Sequence, residues 1–186
     1  MKQTISGVVL FCILLIPPVR TYMESIMILH MLVQLPLLIL AGWLAGKVVI
    51  QKFSRFFAKY NENGVPGITL VIIITMYWML PRAMDEALTF YHVELFKFLG
   101  LPFLVGIPLR DSWHKLKAVG KSFVYLNYLP MFGLMAWLYI DTPIQICNNY
   151  LEVQQKVLGW GFLIITAFMV LYIIQFVFTD HSEQES

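Results

Sequence analysis

Met23, Met27, His30 and Gln34 are spaced by four, three and four residues. At about 100° per residue in a continuous helix these side chains fall on one narrow stripe. The stripe lies in an otherwise apolar run, so each polar member needs a reason to be there. Thioether and imidazole together suit copper, above all Cu(I), because sulfur is a soft ligand. The same residues have a plainer reading. Methionine fills apolar cores, and a histidine or glutamine inside a bundle can hydrogen-bond a neighbouring helix.

Other chemistry-bearing residues fall at the same level. Met76, Trp78 and Met79 end one apolar run, and Met84, Asp85 and Glu86 follow Pro81. Tyr91, His92, Glu94 and Lys97 open the next run. Trp137, Tyr139 and Asp141 close another, and Cys147, Asn148, Asn149, Tyr150, Gln154 and Gln155 precede the last. Lys97 can snorkel outward or pair with Glu94 three residues earlier. Asp85 and Arg82 can pair at the interface. Trp78, Trp137 and the tyrosines read as an aromatic belt. His114 and His181 fall on the opposite side.

The elements that place these residues are membrane spans. Of 186 residues, 59% are hydrophobic and 13% charged, and the mean hydropathy is +0.74. A soluble domain of this length needs more polar surface, so composition assigns a membrane class. Runs near the length of about 20 apolar residues that a spanning helix needs predict an all-α polytopic bundle. It is one integral membrane domain with about six spans at 5–19, 24–46, 65–80, 93–109, 122–140 and 157–178. The first run lacks a small-residue cleavage pattern and reads as a retained helix ended by Pro17 and Pro18. Pro36 is expected to kink the second span.

Charge orients the bundle. With the N-terminus inside, Lys2, the cluster Lys47, Lys52, Arg55 and Lys59, and the cluster Arg110, Lys115, Lys117 and Lys121 face the cytoplasm. The outer loops then hold only Arg20, Arg82 and Lys156. This N-in, C-in arrangement in a bacterial inner membrane puts His30 about 10 Å below the outer surface at 1.5 Å per residue. The basic clusters flank apolar runs, and there is no nucleic-acid motif and no Walker or Rossmann glycine pattern, so no nucleic-acid partner is expected. Cys12 and Cys147 suggest neither a disulfide framework nor a CxxC site.

The run "ESIMILHMLVQLPLLILAG" resembles the "LHM" helix of the multi-spanning CtaG-type cytochrome c oxidase assembly factors. "YWMLPRAMDEAL" and "VELFKFLGLPFLVGIPLRDSW" resemble that family's Trp–His–Leu–Pro helix end, its Asp–x–Ala–Leu continuation and its next span. "NNYLEVQQKVLGWGFL" resembles the entry to its last helix. The resemblance covers roughly residues 22–175 and rests on order and spacing with modest identity. It implies a helical membrane protein that helps supply copper to a haem–copper oxidase, whose subunits or another membrane complex would be its partners. His30 and Met31 match the family's His–Met pair, and Trp78, Leu80, Pro81, Asp85 and Trp113 match further positions. Gln34, Met79 and Lys97 stand where related proteins have histidines. The implied copper set is therefore His30 with Met23, Met27, Met31 and Met79, supported by Gln34, Asp85, Glu94, Lys97 and Trp78.

Two other functions compete with copper handling. One is a haem-binding or quinone-linked redox subunit, for which His30 and His92 are the outer-side histidines. The other is a non-catalytic accessory subunit in which the polar residues only stabilise helix contacts. No nucleophile–base set or closed metal-ligand motif points to an enzyme.

Overall fold

The computed structural model describes residues 2–142 and 144–179. The tail residues Asp180, His181, Glu183 and Glu185 lie outside the described residues. All regular structure among the described residues is helical. The elements are α1 (Lys2–Leu15), α2 (Pro17–Ser25), α3 (Met27–Lys52), α4 (Ser54–Tyr60) and α5 (Val65–Met79). They continue with α6 (Pro81–Thr89), α7 (Tyr91–Lys115), α8 (Ala118–Asp141) and α9 (Glu152–Thr179).

Helices α3, α7, α8 and α9 are each long and apolar enough to cross a bilayer. Helices α1 with α2, and α5 with α6, reach that length as pairs bent by 71° and 74°. The chain is thus an all-α membrane protein with four helices able to span, or six spans if each bent pair counts as one.

Two bends correct the expected boundaries. Helix α1 ends at Leu15, just before Pro17 and Pro18 as expected, but the two prolines also open α2, because proline fits the first turn of a helix, where the N–H has no intrahelical partner. The second span starts later than residue 24. Ile26 is extended (φ −121°, ψ 117°) and separates α2 from α3. Met23 therefore belongs to α2 and does not continue the helical stripe of Met27, His30 and Gln34.

Pro36 does not produce a simple kink. Residues His30–Gln34 form a π-helical turn in which the Leu35 N–H bonds the His30 carbonyl. A second π turn, Leu101–Gly106, interrupts α7 beside Pro102. A proline removes one N–H and crowds the preceding turn, and a wider turn absorbs the misfit.

Helix α3 is the centre of the bundle, packed by α1 on one side and by the middle of α7 on the other. The contacts are close because the crossing points carry no side chain. A Cβ on Gly7 would lie 2.6 Å from the Ala45 nitrogen of α3. A Cβ on Gly42 would collide with the backbone of Pro102, and one on Gly106 with the Ile39 carbonyl. Small residues that let backbones approach are a common solution where lipid supplies no hydrophobic force between helices. Helices α8 and α9 pack mainly on each other, and only 22% and 17% of their spanning windows are buried.

At the basic end, the turn after α4 is locked to α7. The Asn61 amide donates to Asp111 Oδ2 at 2.6 Å and to Ser112 Oγ at 3.0 Å, and Asn61 Oδ1 accepts the Gly67 N–H at 2.8 Å. Lys115 Nζ donates to the Asn61 carbonyl at 2.8 Å and pairs with Asp111 at 2.7 Å. Gly64 completes the turn at φ +74°, where its missing side chain leaves room for the Ser112 carbonyl.

The α3–α7 crossing gives a stability prediction. Gly42→Val forces side-chain atoms into the Pro102 backbone, which cannot yield as a flexible side chain would. The expected loss is at least the roughly 1–3 kcal/mol typical of overpacking, read as a lowered thermal midpoint in detergent. Val49→Ala, on the same helix and half-buried, serves as the comparison and should shift the midpoint far less.

Candidate functional site

The polar centre of the bundle is built around Lys97, which is 0% exposed. It stands on α7 ahead of the π turn, facing α2 and α3. Its Nζ lies 2.6 Å from Glu24 Oε1, 3.0 Å from His30 Nε2 and 3.4 Å from Gln34 Oε1. Nζ also lies 4.8 Å from the centre of the Phe98 ring. Three acceptors on two helices thus surround one ammonium.

The hydrogen bonds fix the state of His30. An ammonium only donates, so Nε2 is the accepting nitrogen. Tyr150 donates its O–H to the Glu24 carbonyl at 2.7 Å. Its oxygen is then free to accept, and His30 Nδ1, 2.7 Å away, supplies the proton. His30 is therefore the neutral Nδ1–H tautomer with both ring nitrogens engaged.

Four formal charges meet here and cancel. Lys97 pairs with Glu24, and Arg20 Nη1 pairs with Glu94 at 3.0 Å. Arg20 Nε also lies 3.9 Å from Glu24. Gln34 bridges by donating from Nε2 to Glu24 Oε1 at 3.5 Å. The helix break adds its own demands. The Met27 N–H begins α3 and is taken by Gln154 Oε1 of α9 at 3.1 Å.

Tyr150 is delivered by a loop that Asp85 holds. The Asp85 carboxylate accepts the N–H of Asn148 at 2.7 Å and of Asn149 at 3.3 Å, and the Asn149 amide at 3.2 Å. Gln145 Nε2 donates to the Tyr150 carbonyl at 2.7 Å, and Gln155 Oε1 accepts the Ile146 N–H at 3.0 Å. Burial, with Glu24 next in size, holds the Tyr150 phenol above its ordinary range, so it remains an O–H donor.

Several expected pairings differ. Lys97 pairs with Glu24 and not with Glu94, because its helix turns it inward and Glu24 on α2 presents the nearer carboxylate. Glu94 is used by Arg20. Asp85 clamps the loop and does not pair with Arg82, which bonds Glu86 one turn ahead at 2.7 Å. Trp78 is 1% exposed and stacked on Phe96, so it is core and no part of an aromatic belt, whereas Trp137 is 62% exposed.

The proposed copper ligands are dispersed among different surroundings. His30, Met27 and Met31 are buried on α3, and Met23 packs on the core from α2. Met31 and Met79 line an apolar cavity of about 260 Å³ between α3, α5, α7 and α8, with Trp78, Thr75 and Tyr128. Among the described residues no group of three His, Cys, Asp or Glu side chains converges on one point. As arranged, the donors do not fit a metal: neither nitrogen of His30 is free, and an ammonium stands against Nε2. Cys147 adds no thiolate. Burial first and the Asp85 charge second push its thiol up to about 11. His92 is exposed beside Phe90, 5.7 Å between ring centres, and gives no partner for haem ligation across the bundle.

Sequence reasoning missed Glu24 and Arg20 as members of the site. The available signal was electrostatic: a lysine within a span requires a counter-charge, and Glu24 stands one turn after Arg20. No family model, curated protein or solved structure matches the chain.

Two outcomes follow. Lys97→Met leaves Glu24 without its ammonium and should cost roughly 3–5 kcal/mol, the usual penalty for breaking a buried pair from one side. Adding Glu24→Gln should recover part of that loss, read by unfolding midpoints of the single and double variants. In a Cys12→Ser background, maleimide should leave Cys147 unmodified near pH 7, where the thiol is protonated. The thiolate fraction rises about tenfold per pH unit toward 11, and labelling timed against pH checks both burial and charge state.

Proposed function

We propose that the chain is a non-catalytic membrane protein that supports the assembly or stability of a larger membrane complex, on a scaffold resembling the CtaG-type oxidase assembly factors. The observation that carries this reading is the Lys97 ammonium, seated among His30 Nε2, Gln34 Oε1 and Glu24 Oε1. Gln34 and Lys97 are two of the positions where the resembling family has histidines. A tethered cation here takes the place a metal ion would need.

Charge balance supports the same reading. Lys97 and Arg20 offset Glu24 and Glu94. A further cation would leave an uncompensated charge in a medium where that costs several kcal/mol. Orientation follows the basic clusters, with Arg110, Lys115, Lys117 and Lys121 on the cytoplasmic side of a bacterial inner membrane. The client in this reading is a respiratory or other membrane complex, with a haem–copper oxidase the one that the resemblance favours.

Copper handling is the second reading, favoured by Met27 and Met31, which are buried on either side of His30 in the chain. It requires Lys97 to lose its proton or leave the cluster. Metal analysis separates the two. Protein purified anaerobically in mild detergent and incubated with Cu(I) is expected to hold far less than one ion per chain, and His30→Ala is expected to leave that value unchanged. In the same strain, loss of the chain should reduce the amount of assembled client oxidase on native gels, and the His30→Ala protein should restore most of it. One Cu(I) per chain that disappears in His30→Ala would establish the copper reading instead. An unchanged client level without the chain would remove the assembly role.

A further inference from the structure

The basic end of the bundle carries a groove that the site around Lys97 does not use. It has a volume of about 760 Å³ and lies between the end of α7, the start of α8 and the end of α9. Trp113, Lys121 and Ser122 form its polar end, and Tyr125, Leu126 and Ile173 extend it along the helices.

The polar end is positively charged, and among the described residues no acid pairs with its lysines Lys117 and Lys121. Lys115 is taken up by Asp111 and the Asn61 carbonyl. Lys121 Nζ instead rests 5.6 Å from the centre of the Trp113 ring. No acidic residue occurs from Ser112 to Ile140. Helix α8 starts at Ala118 with no side-chain cap, so its positive end adds to the same field.

The remainder of the groove is apolar and belongs to spanning helices. Tyr125 packs against Trp113 at 6.2 Å and Tyr172 at 5.3 Å between ring centres. Leu126 is 61% exposed, on a helix little buried by the rest of the chain. A ligand here meets cationic and hydroxyl groups at one end and hydrocarbon along its length. A soluble phosphate compound matches only the first part, and a neutral lipid leaves the lysines unanswered.

We propose that this groove binds one anionic phospholipid. Its phosphate lies against the Lys121 ammonium and the Ser122 hydroxyl, and an acyl chain runs past Leu126 and Ile173. Lys117 supplies attraction from the rim. The site is separate from the Lys97 cluster, so it stands whether or not the assembly role does.

The test uses the full chain in mild detergent, titrated with phosphatidylglycerol, with phosphatidylcholine and with inorganic phosphate. Trp113 reports binding by its fluorescence, isolated as the difference from Trp113→Phe, and native mass spectrometry counts retained lipid independently. Phosphatidylglycerol is expected to change the Trp113 signal saturably and to remain as one bound molecule. Lys121→Gln should weaken binding about fivefold, the worth of one lysine near an anionic lipid, at an unchanged unfolding midpoint. Equal responses to phosphatidylcholine, saturation by inorganic phosphate alone, or an unaltered affinity in Lys121→Gln would each overturn the proposal. The acidic residues Asp180, Glu183 and Glu185 follow α9 and are the competing occupant. Binding seen only after truncation at Thr179 would assign the groove to that tail and reject the lipid.

Discussion

A lysine ammonium with no exposure to solvent or lipid must be answered by the protein around it. The cost of removing a charge from water is several kcal/mol after relaxation, and it is offset only when every proton finds an acceptor. Lys97 therefore dictates much of its surroundings. Glu24 must present a carboxylate, His30 must be neutral with Nε2 unprotonated, and Gln34 must turn its oxygen inward. Those three requirements place α2, α3 and α7 relative to one another at the end of the bundle away from the Asn61 cluster.

The close α3–α7 crossing further along the helices serves the same geometry. Gly42 and Gly106 allow the two backbones to touch, which brings a side chain from α7 within reach of α3. The loop before α9 then closes the cluster from above. Its position depends on Asp85, which collects two backbone N–H groups, and its product is a Tyr150 hydroxyl aimed at both His30 and the Glu24 carbonyl. A carboxylate on α6 thus acts on the imidazole of α3 without touching it, by placing the loop that carries Tyr150.

Much of this was legible in the sequence, and the remainder had physical reasons not to be. Apolar run lengths identified the spans, because hydrocarbon thickness constrains helix length directly. They gave α8 and α9 within a few residues. That His30 and Lys97 need partners was legible because the membrane makes such residues expensive, and both are fully buried. The bend at Ile26 was not legible, unlike the one that Pro81 marks, since an isolated extended residue leaves no periodic signal. Missing the first bend made Met23 look like part of a continuous stripe. Glu24 was overlooked as a partner for Lys97 because 73 residues separate them, and Glu94, one turn away on the same helix, offered a local alternative. The Asn61 cluster at the basic end was invisible for the same reason: 50 residues separate Asn61 from Asp111.

The break at Ile26 shows why the cluster and the fold cannot be separated. An interrupted helix leaves backbone groups unpaired, and where they are buried the protein must supply partners. Here the Glu24 carbonyl accepts the Tyr150 hydroxyl and the Met27 N–H donates to Gln154 Oε1. The donor Tyr150 comes from the loop before α9 and the acceptor Gln154 from its first turn. The same tyrosine that closes the broken backbone also holds His30 in the tautomer that accepts from Lys97. A continuous helix through residue 26 would need neither Tyr150 nor Gln154, and it would carry Glu24 around the helix axis away from its present station. The bend is thus what allows one carboxylate to serve the ammonium with its side chain and the phenol with its backbone.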